Sequence, residues 1–203
     1  MNISRRSLVL SGAALAIPGG AYATPVDGDM TIGAPDARVR LVEYASLTCP
    51  HCAAFHADVF PRIKAEFIDT QRISFTLREF PTPPAPVSVA MFQTARCGGA
   101  DASTYFDRVG ILFQQQRAIL STGTGQGVLD ALVAIGQTWG LSEDQVMSAV
   151  MDPSGAARVQ ATVNDGIERF NLHSTPSLVL NEQLLSGATT YVGLSDALNA
   201  AVR

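Results

Sequence analysis

The chain has 203 residues, of which 47% are hydrophobic and 16% charged, and its formal net charge at pH 7 is −4. This length and apolar content suit one globular domain with a sizeable core, or one domain that carries a large insertion. An acidic chain lacks the basic footprint of a nucleic-acid-binding protein, and no apolar run reaches the roughly 20 residues that a membrane-spanning helix needs.

Residues 1–23 are predicted to be an export signal and not part of the fold. Arg5 and Arg6 are their only charges, a short apolar stretch follows, and residues 21–23 have the small-x-small pattern of a cleavage site. Paired arginines ahead of a mildly apolar stretch are typical of a twin-arginine signal, with a Sec signal as the alternative. Cleavage after Ala23 would remove two arginines and no acid, which changes the net charge from −4 to −6. Cysteines of an exported protein need not stay reduced.

The next segment is predicted to form a strand–helix–strand unit. Residues 24–38 are a polar lead-in, and residues 39–45 have the apolar pattern of a strand. Apolar residues then recur at spacings of three and four over residues 50–67, which predicts a helix with a kink at Pro61. Residues 72–80 alternate as a second strand, and the length of the crossover favours parallel pairing of the two strands.

Five helices are predicted between this unit and the end of the chain. Two of their boundaries have specific signals: Ser142 with Gln145 forms a capping box, and Asp152 is an N-cap followed by Pro153 in the first turn. Five helices are too many for one simple crossover, so about residues 85–170 are predicted to be an inserted helical subdomain. The helices cover about residues 87–97, 102–116, 127–139, a stretch after 142, and 153–170.

A hairpin and a helix are predicted to close the chain. Residues 177–180 and 183–186 are its two strands, joined by a turn at Asn181 and Glu182, and residues 193–203 form the helix. The predicted fold class is therefore α/β, in the order β-α-β, helical insertion, β-β-α.

Two of the three cysteines, Cys49 and Cys52, lie at the predicted start of the first helix. Their spacing makes the side chains neighbours on one face, but a structural disulfide here would constrain little, because the closed loop is so short. Unpaired N–H groups and the helix dipole favour a thiolate at Cys49. His51, when protonated, would add positive charge, and Pro50 contributes no N–H. Cys52 is expected to be buried on the apolar face, which suits a resolving thiol in redox chemistry.

Two other kinds of site use the same cysteine spacing. Covalent haem attachment requires a histidine directly after the second cysteine, where this chain has Ala53. A zinc or copper site could combine both cysteines with His51 or His56. A closed zinc site has four ligands, and outside this segment the chain has one more cysteine, Cys97, and one more histidine, His173. Metal binding stays open as the alternative to redox chemistry.

Several stretches of the chain resemble the DsbA family of exported thiol:disulfide oxidases. They are LVEYASLTCPHC with the family's CPHC centre, VFPRIKAEFIDTQRISFTLREFP, the helical insertion, and STPSLVLN. The resemblance covers essentially all of residues 30–203. It implies a thioredoxin-like α/β fold with an inserted helical subdomain over residues 24–203. It also implies that no soluble cofactor is required, because the cysteines carry the electrons.

The resemblance also implies roles for the residues of the motif. Cys49 would be the exposed nucleophile and Cys52 its buried partner. Pro50 and His51 would be the dipeptide that tunes the redox potential.

Other residues acquire roles in the same way. Pro176 would be the family's cis-proline beside the active disulfide, and Thr175 before it would offer backbone groups to an extended substrate peptide. Glu43 would be a buried acid that relays the proton of Cys52, with a solvated residue on an edge strand as the alternative. His173 would be either an exposed loop residue or a residue that tunes the site. Independently of the resemblance, Cys97 lies at the end of an Ala/Met/Phe-rich helix, which predicts a buried free thiol, with a regulatory or intermolecular thiol as the alternative.

By this resemblance the protein would be a periplasmic, monomeric oxidase that gives its disulfide to reduced, newly exported polypeptides. A DsbB-like, quinone-linked membrane protein would restore the disulfide. An isomerase or reductase on the same fold is the alternative. Isomerases of this kind usually add an oligomerisation segment. The short lead-in before the first strand is not amphipathic, so it does not resemble such a segment, and this favours a monomer. A non-enzymatic metal-binding module is the alternative from a different class.

Overall fold

The computed structural model describes residues 25–187 and 189–203 of the chain. The export signal predicted for residues 1–23 lies outside these residues and stays a prediction. Within the described part of the chain, none of the helices has both the length and the apolar character needed to span a bilayer.

A mixed five-stranded sheet forms the centre of the described structure, in the order β1-β3-β2-β4-β5. The strands are β1 Met30–Gly33, β2 Arg40–Ala45, β3 Ser74–Glu79, β4 Ser177–Leu180 and β5 Gln183–Leu184. β2 and β3 are parallel, which confirms the prediction from the crossover length, and the other neighbouring pairs are antiparallel. The strand that leads into the two cysteines, β2, therefore lies in the middle of the sheet.

Helices cover the sheet and form the insertion between β3 and β4. The first is α1 Pro50–Asp58, followed by α2 Phe60–Ile63 and a π-helical turn at Lys64–Ile68. The five helices predicted between β3 and β4 are present: α3 Ala85–Arg96, α4 Ala102–Ser121, α5 Gly125–Thr138, α6 Glu143–Val150 and α7 Pro153–Phe170. The chain ends with α8 Tyr191–Ala201, which packs against α2.

The lead-in contains a strand that the sequence pattern does not indicate. Residues 24–38 are predicted to be a polar lead-in with the first strand after them, and this prediction is wrong for residues 30–33. These residues form β1, which pairs antiparallel with β3. This strand is only four residues long and half-buried at the sheet edge. Its pairing with β3 stabilises it, because so short a segment has little intrinsic preference for extended structure.

The single kinked helix predicted over residues 50–67 is interrupted at Val59. Pro61 is the reason: it lacks an N–H and is accommodated in the first turn of α2, where no intrahelical partner is required. The interruption is local, because Val59 keeps right-handed helical dihedral angles and its N–H and carbonyl both make helical hydrogen bonds. The predicted apolar face survives the interruption, since Cys52 and Phe67 are fully buried.

Local signals elsewhere in the sequence are confirmed. Ser142 and Gln145 form the reciprocal capping box of α6, and the Asp152 side chain caps α7. Asn181 and Glu182 both have positive φ, of 46° and 68°, as a two-residue hairpin turn requires. β5 is shorter than predicted, and α8 begins earlier because the Thr190 side chain caps it.

A buried ion network joins the lead-in and α7 to the sheet. The Arg78 side chain in β3 is 1% exposed and donates to Asp29 at 2.8 Å and to Asp165 at 2.6 Å. Its Nη1 also donates to the Tyr44 hydroxyl at 2.9 Å. Two carboxylates around one guanidinium compensate for the loss of hydration that burial imposes on these charges. The network fixes α7, the helix that precedes β4, against the sheet.

Gly33 at the end of β1 provides a test of this edge of the sheet. Its φ is +87°, and a Cβ atom there would lie 2.3 Å from the carbonyl oxygen of Ile73. Gly33→Ala is expected to lower the free energy of unfolding by about 2–3 kcal/mol, through backbone strain and this clash. Chemical denaturation measures the loss.

Gly99→Ala is the matched control for this change. Gly99 also has positive φ, of 70°, but among the described residues no atom beyond Gly99 and its two chain neighbours lies within 4 Å of its Cβ position. It should lose about 1 kcal/mol, from the backbone conformation alone. Equal losses in the two variants would show that the contact with Ile73 does not matter.

Candidate active site

The two cysteines of the CPHC motif lie where the central strand β2 passes through a short turn into α1. Cys49 is the N-cap residue of α1, with an extended backbone (φ −82°, ψ 121°), and Pro50 is the first helical residue. Both cysteines are free thiols. The backbone N–H groups of His51 and Cys52, which have no partner within the helix, face the sulfur of Cys49.

This environment lowers the pKa of Cys49 to about 5. The hydrogen bond from the Cys52 thiol is the largest cause, and Thr175 and the backbone N–H groups of Cys52 and His51 act in the same direction, against the effect of burial. The neutral Cys49 thiol donates to the Thr175 carbonyl oxygen at 3.3 Å. The buried Thr175 hydroxyl has no hydrogen-bond partner in this dithiol state, so it is available to a Cys49 thiolate.

The second cysteine has the opposite character. Burial raises the pKa of Cys52 strongly, and the hydrogen bond to Cys49 and the negative charge of Glu43 raise it further. Cys52 is fully buried, as predicted. The prediction that Cys49 is exposed is wrong: only 8% of it is accessible, because the loop that contains Thr175 packs over its sulfur. Two thiols three residues apart therefore favour different protonation states.

A buried acid and a histidine lie close to this pair. Glu43 is fully buried in β2, so the alternative of a solvated residue on an edge strand is wrong. Its Oε2 lies 2.9 Å from Nε2 of His56, and its Oε1 has no hydrogen-bond partner. The His56 ring stacks on Phe113, with 4.3 Å between ring centroids. The sequence indicates His56 only as a possible metal ligand. Its spacing of four from Cys52, on the buried face of α1, is the signal for a role beside Glu43.

A groove passes alongside the motif. The Thr175–Pro176 peptide bond is cis, as predicted. The groove has a volume of about 380 Å³, and six of the residues that line it are His51, Phe55, Asp58, Val59, Thr175 and Pro176. His51 is exposed there, while Thr175 is buried beneath the surface. The cis-proline loop and the start of α1 thus form the two sides of one open cleft.

The remaining candidate residues, His173 and Cys97, are not among the residues that line this groove. His173 is exposed, and its ring nitrogen lies 3.0 Å from the Asn171 side-chain oxygen. Cys97 is buried, as the simpler interpretation predicts, and its thiol donates to the Gln145 carbonyl at 3.3 Å. Burial raises the pKa of the Cys97 thiol. Within residues 25–187 and 189–203, no three His, Cys, Asp or Glu side chains are grouped so that they could hold a metal ion.

Comparisons with known proteins agree with this architecture. Residues 26–200 match the family model described as Thioredoxin. The chain belongs to the thioredoxin family. A Rickettsia prowazekii protein with "protein-disulfide oxidoreductase" in its name is 31% identical over 155 residues, which are 76% of this chain and 55% of that protein. The chain spans about half the length of the curated relatives it matches first.

Solved structures of DsbA proteins share the fold. Wolbachia pipientis α-DsbA1 superimposes with a TM-score of 0.77 at 22% identity, over 88% of this chain and 92% of that one. Oxidised BdbD from Bacillus subtilis gives a TM-score of 0.74 at 19% identity, over 90% and 97% of the two chains. The predicted thioredoxin-like fold with an inserted helical subdomain is therefore confirmed, and so is the resemblance to DsbA proteins.

The lowered pKa in this thioredoxin-family motif makes the stability of the reduced protein depend on pH. An ordinary cysteine of the unfolded chain titrates near pH 9, and Cys49 in the folded protein near pH 5. Between these values the folded state binds fewer protons than the unfolded state. The free energy of unfolding of the reduced protein is therefore expected to rise from pH 5 to pH 9, by up to about 1.4 kcal/mol per pH unit. Acidification through pH 5 removes this contribution.

The oxidised protein is the matched control, because its disulfide has no thiol to titrate. Denaturation curves of both forms across this pH range give the difference in unfolding free energy. A difference that does not change with pH would show that Cys49 keeps an ordinary pKa.

Proposed function

We propose that this protein is an exported thiol:disulfide oxidase that donates its Cys49–Cys52 disulfide to newly exported polypeptides. The observation that carries the proposal is the placement of the two thiols: Cys49 is the N-cap residue of α1, with its sulfur 3.3 Å from the Thr175 carbonyl oxygen, and Cys52 is fully buried one turn later. This placement lowers the pKa of Cys49 to about 5 and raises the pKa of Cys52. A thiolate that is stable in the folded protein stabilises the reduced form, and this makes the disulfide a stronger oxidant. A stable thiolate is also a good leaving group.

The reaction follows from this asymmetry. A substrate thiolate attacks the sulfur of Cys49, the Cys49–Cys52 bond breaks, and Cys52 leaves as a thiolate that takes up a proton. A second thiolate of the substrate then attacks the substrate sulfur of this mixed disulfide. The substrate leaves with its own disulfide, Cys49 leaves as a thiolate, and the two electrons remain on the cysteine pair.

Peptide binding is proposed for the groove beside the motif. The backbone of Thr175, next to the cis-proline Pro176, would pair with an extended substrate segment, as in strand addition. Phe55 and Val59 give the groove an apolar part for a side chain next to the reacting cysteine. His51 lies on the groove and in the dipeptide between the cysteines, where its charge would tune the redox potential together with Pro50.

Glu43 is proposed to handle the proton of Cys52. Its negative charge contributes to the raised pKa of Cys52, and one of its buried oxygens has no hydrogen-bond partner. A thiolate formed at Cys52 in this fully buried place needs a proton at once, because burial disfavours its charge. The pair of Glu43 and His56, which would hold one proton between its two groups, is the proposed donor, and a proton from solvent would restore it after each transfer.

The remaining parts of the proposal concern the cellular setting. The features of residues 1–23 support export to the periplasm, by the twin-arginine or the Sec route. Two electrons must leave the cysteine pair after each turnover, and a DsbB-like, quinone-linked membrane protein is the proposed acceptor. A monomer is supported by residues 30–33, which pair within the chain's own sheet as β1.

The equilibrium of the Cys49–Cys52 pair with glutathione tests the oxidase. A strong oxidant is expected to be half reduced at a potential above about −180 mV. Mass spectrometry after alkylation measures the reduced fraction. The Cys97→Ala variant, which keeps the active pair, is the control. It should give the same reduced fraction as the wild type, because the third thiol takes no part in the equilibrium. A pair that stays oxidised below about −250 mV would overturn the oxidase and favour a reductase or isomerase.

The variant Glu43→Gln tests the proton relay. Loss of the ionisable group should slow formation of the mixed disulfide with a model thiol by at least about tenfold. Stopped-flow kinetics of the oxidised protein measures this rate. Glu168→Gln on the exposed side of α7 is the control. A Glu43→Gln rate within about twofold of the wild type would remove Glu43 from the mechanism.

A further inference from the structure

The turn at residues 46–48, between β2 and Cys49, is held by the helical insertion. Leu47 in this turn is fully buried. Its backbone N–H donates to the Ser88 hydroxyl of α3 at 3.1 Å, and its carbonyl accepts from the Gln116 side-chain amide of α4 at 2.9 Å. Both backbone polar groups of Leu47 are therefore paired by side chains of the insertion, and not by the sheet or by α1.

Gln116 makes a second contact to the motif itself. The same amide nitrogen donates to the carbonyl oxygen of Cys49 at 3.0 Å. That carbonyl also accepts the N–H of Ala53 at 3.2 Å, which is the first hydrogen bond of α1. The amide thus fixes the peptide group that begins the helix. The orientation of this group decides whether the N–H groups of His51 and Cys52 point at the Cys49 sulfur.

Hydroxyl groups in and around the turn form further hydrogen bonds that hold it in place. The Ser46 hydroxyl lies 2.9 Å from the hydroxyl of Thr48 and 3.1 Å from that of Ser88. It also accepts the backbone N–H of Thr82 at 3.0 Å, and Thr48 donates to the Thr82 carbonyl at 2.8 Å. A shift of the turn would leave several buried polar groups unpaired, and each such group is costly to bury.

We propose that Gln116 and Ser88 are positioning residues of the redox site, through which the helical insertion sets the equilibrium between the dithiol and the disulfide. The hydrogen bonds of these two side chains go to the turn and to the Cys49 carbonyl, and not to the Cys49 sulfur. They act through the backbone of Leu47 and Cys49, which they hold in the orientation that stabilises a thiolate. This inference rests on the proposed redox function of the cysteine pair.

A change at Gln116 should affect the two redox states unequally. Without the amide, the buried Leu47 carbonyl loses its donor, and the turn must rearrange to find another. The thiolate of Cys49 depends on correctly aimed N–H groups, whereas a disulfide has no charge to stabilise. The variant therefore destabilises the reduced form more than the oxidised form. As a result, the disulfide becomes a weaker oxidant. A role confined to folding would weaken both forms alike.

Gln116→Met is the sharpest test, because methionine has similar length and helix propensity but no donor. The equilibrium constant with glutathione is expected to shift about five- to tenfold toward the disulfide, the effect of one lost hydrogen bond. The ultraviolet absorbance of the thiolate should then titrate at higher pH than in the wild type. Gln115→Met, an exposed change on the same helix, is the matched control and should shift neither quantity by more than about twofold.

Ser88→Ala gives a second test with a smaller change of volume. It removes the acceptor of the Leu47 N–H. The equilibrium constant with glutathione and the pH of the thiolate titration should shift in the same directions as in Gln116→Met. Ser88→Ala therefore tests the inference even if Gln116→Met does not fold. The inference is overturned if the folded variants keep the wild-type equilibrium constant and thiolate titration while only their unfolding free energy falls. A weakly oxidising wild type would instead overturn the proposed oxidase, and the comparison among variants would still stand.

Discussion

The proposed redox site depends on one constraint: the polar backbone groups of a buried turn must all be paired. The hydrogen bonds of β2 end at Ala45, and those of α1 begin at Cys49. The residues between them lie in the core, where an unpaired N–H or carbonyl is costly. Side chains of α3 and α4 supply the missing partners. The insertion is therefore joined by hydrogen bonds to the start of α1, where the two cysteines lie, and it forms part of the proposed site.

The chemistry follows from where the turn places the two sulfurs. Cys49 lies at the helix start, with N–H groups and a thiol directed at it, while Cys52 lies one turn further on in the apolar core. A thiolate is favoured at one position and disfavoured at the other. One helix start thus separates the roles of attacked and departing sulfur without any bound cofactor in the proposed reaction.

Two features near the cysteines oppose stability. Glu43 is a fully buried carboxyl group with one oxygen that has no hydrogen-bond partner, and the Thr175 hydroxyl is buried in the same condition. Such groups lower the stability of a fold unless a charge or a proton arrives to pair with them. Both residues influence the pKa of Cys52, and charge would appear and disappear at the cysteine pair during the proposed disulfide exchange. Unsatisfied groups of this kind are typical of functional sites, where stability is given up for reactivity.

The sequence by itself determined what depends on near neighbours in the chain. The helix start at the CPHC motif, the capping box at Ser142 and the parallel pairing of β2 with β3 all follow from residue type, spacing and crossover length. Tertiary structure alone decided the low exposure of Cys49, the strand β1, and the pairing of Glu43 with His56. It also brought the Gln116 amide to Cys49, across 67 residues of sequence. Periodicity and capping act within a few residues, whereas these contacts exist only after distant segments have packed together.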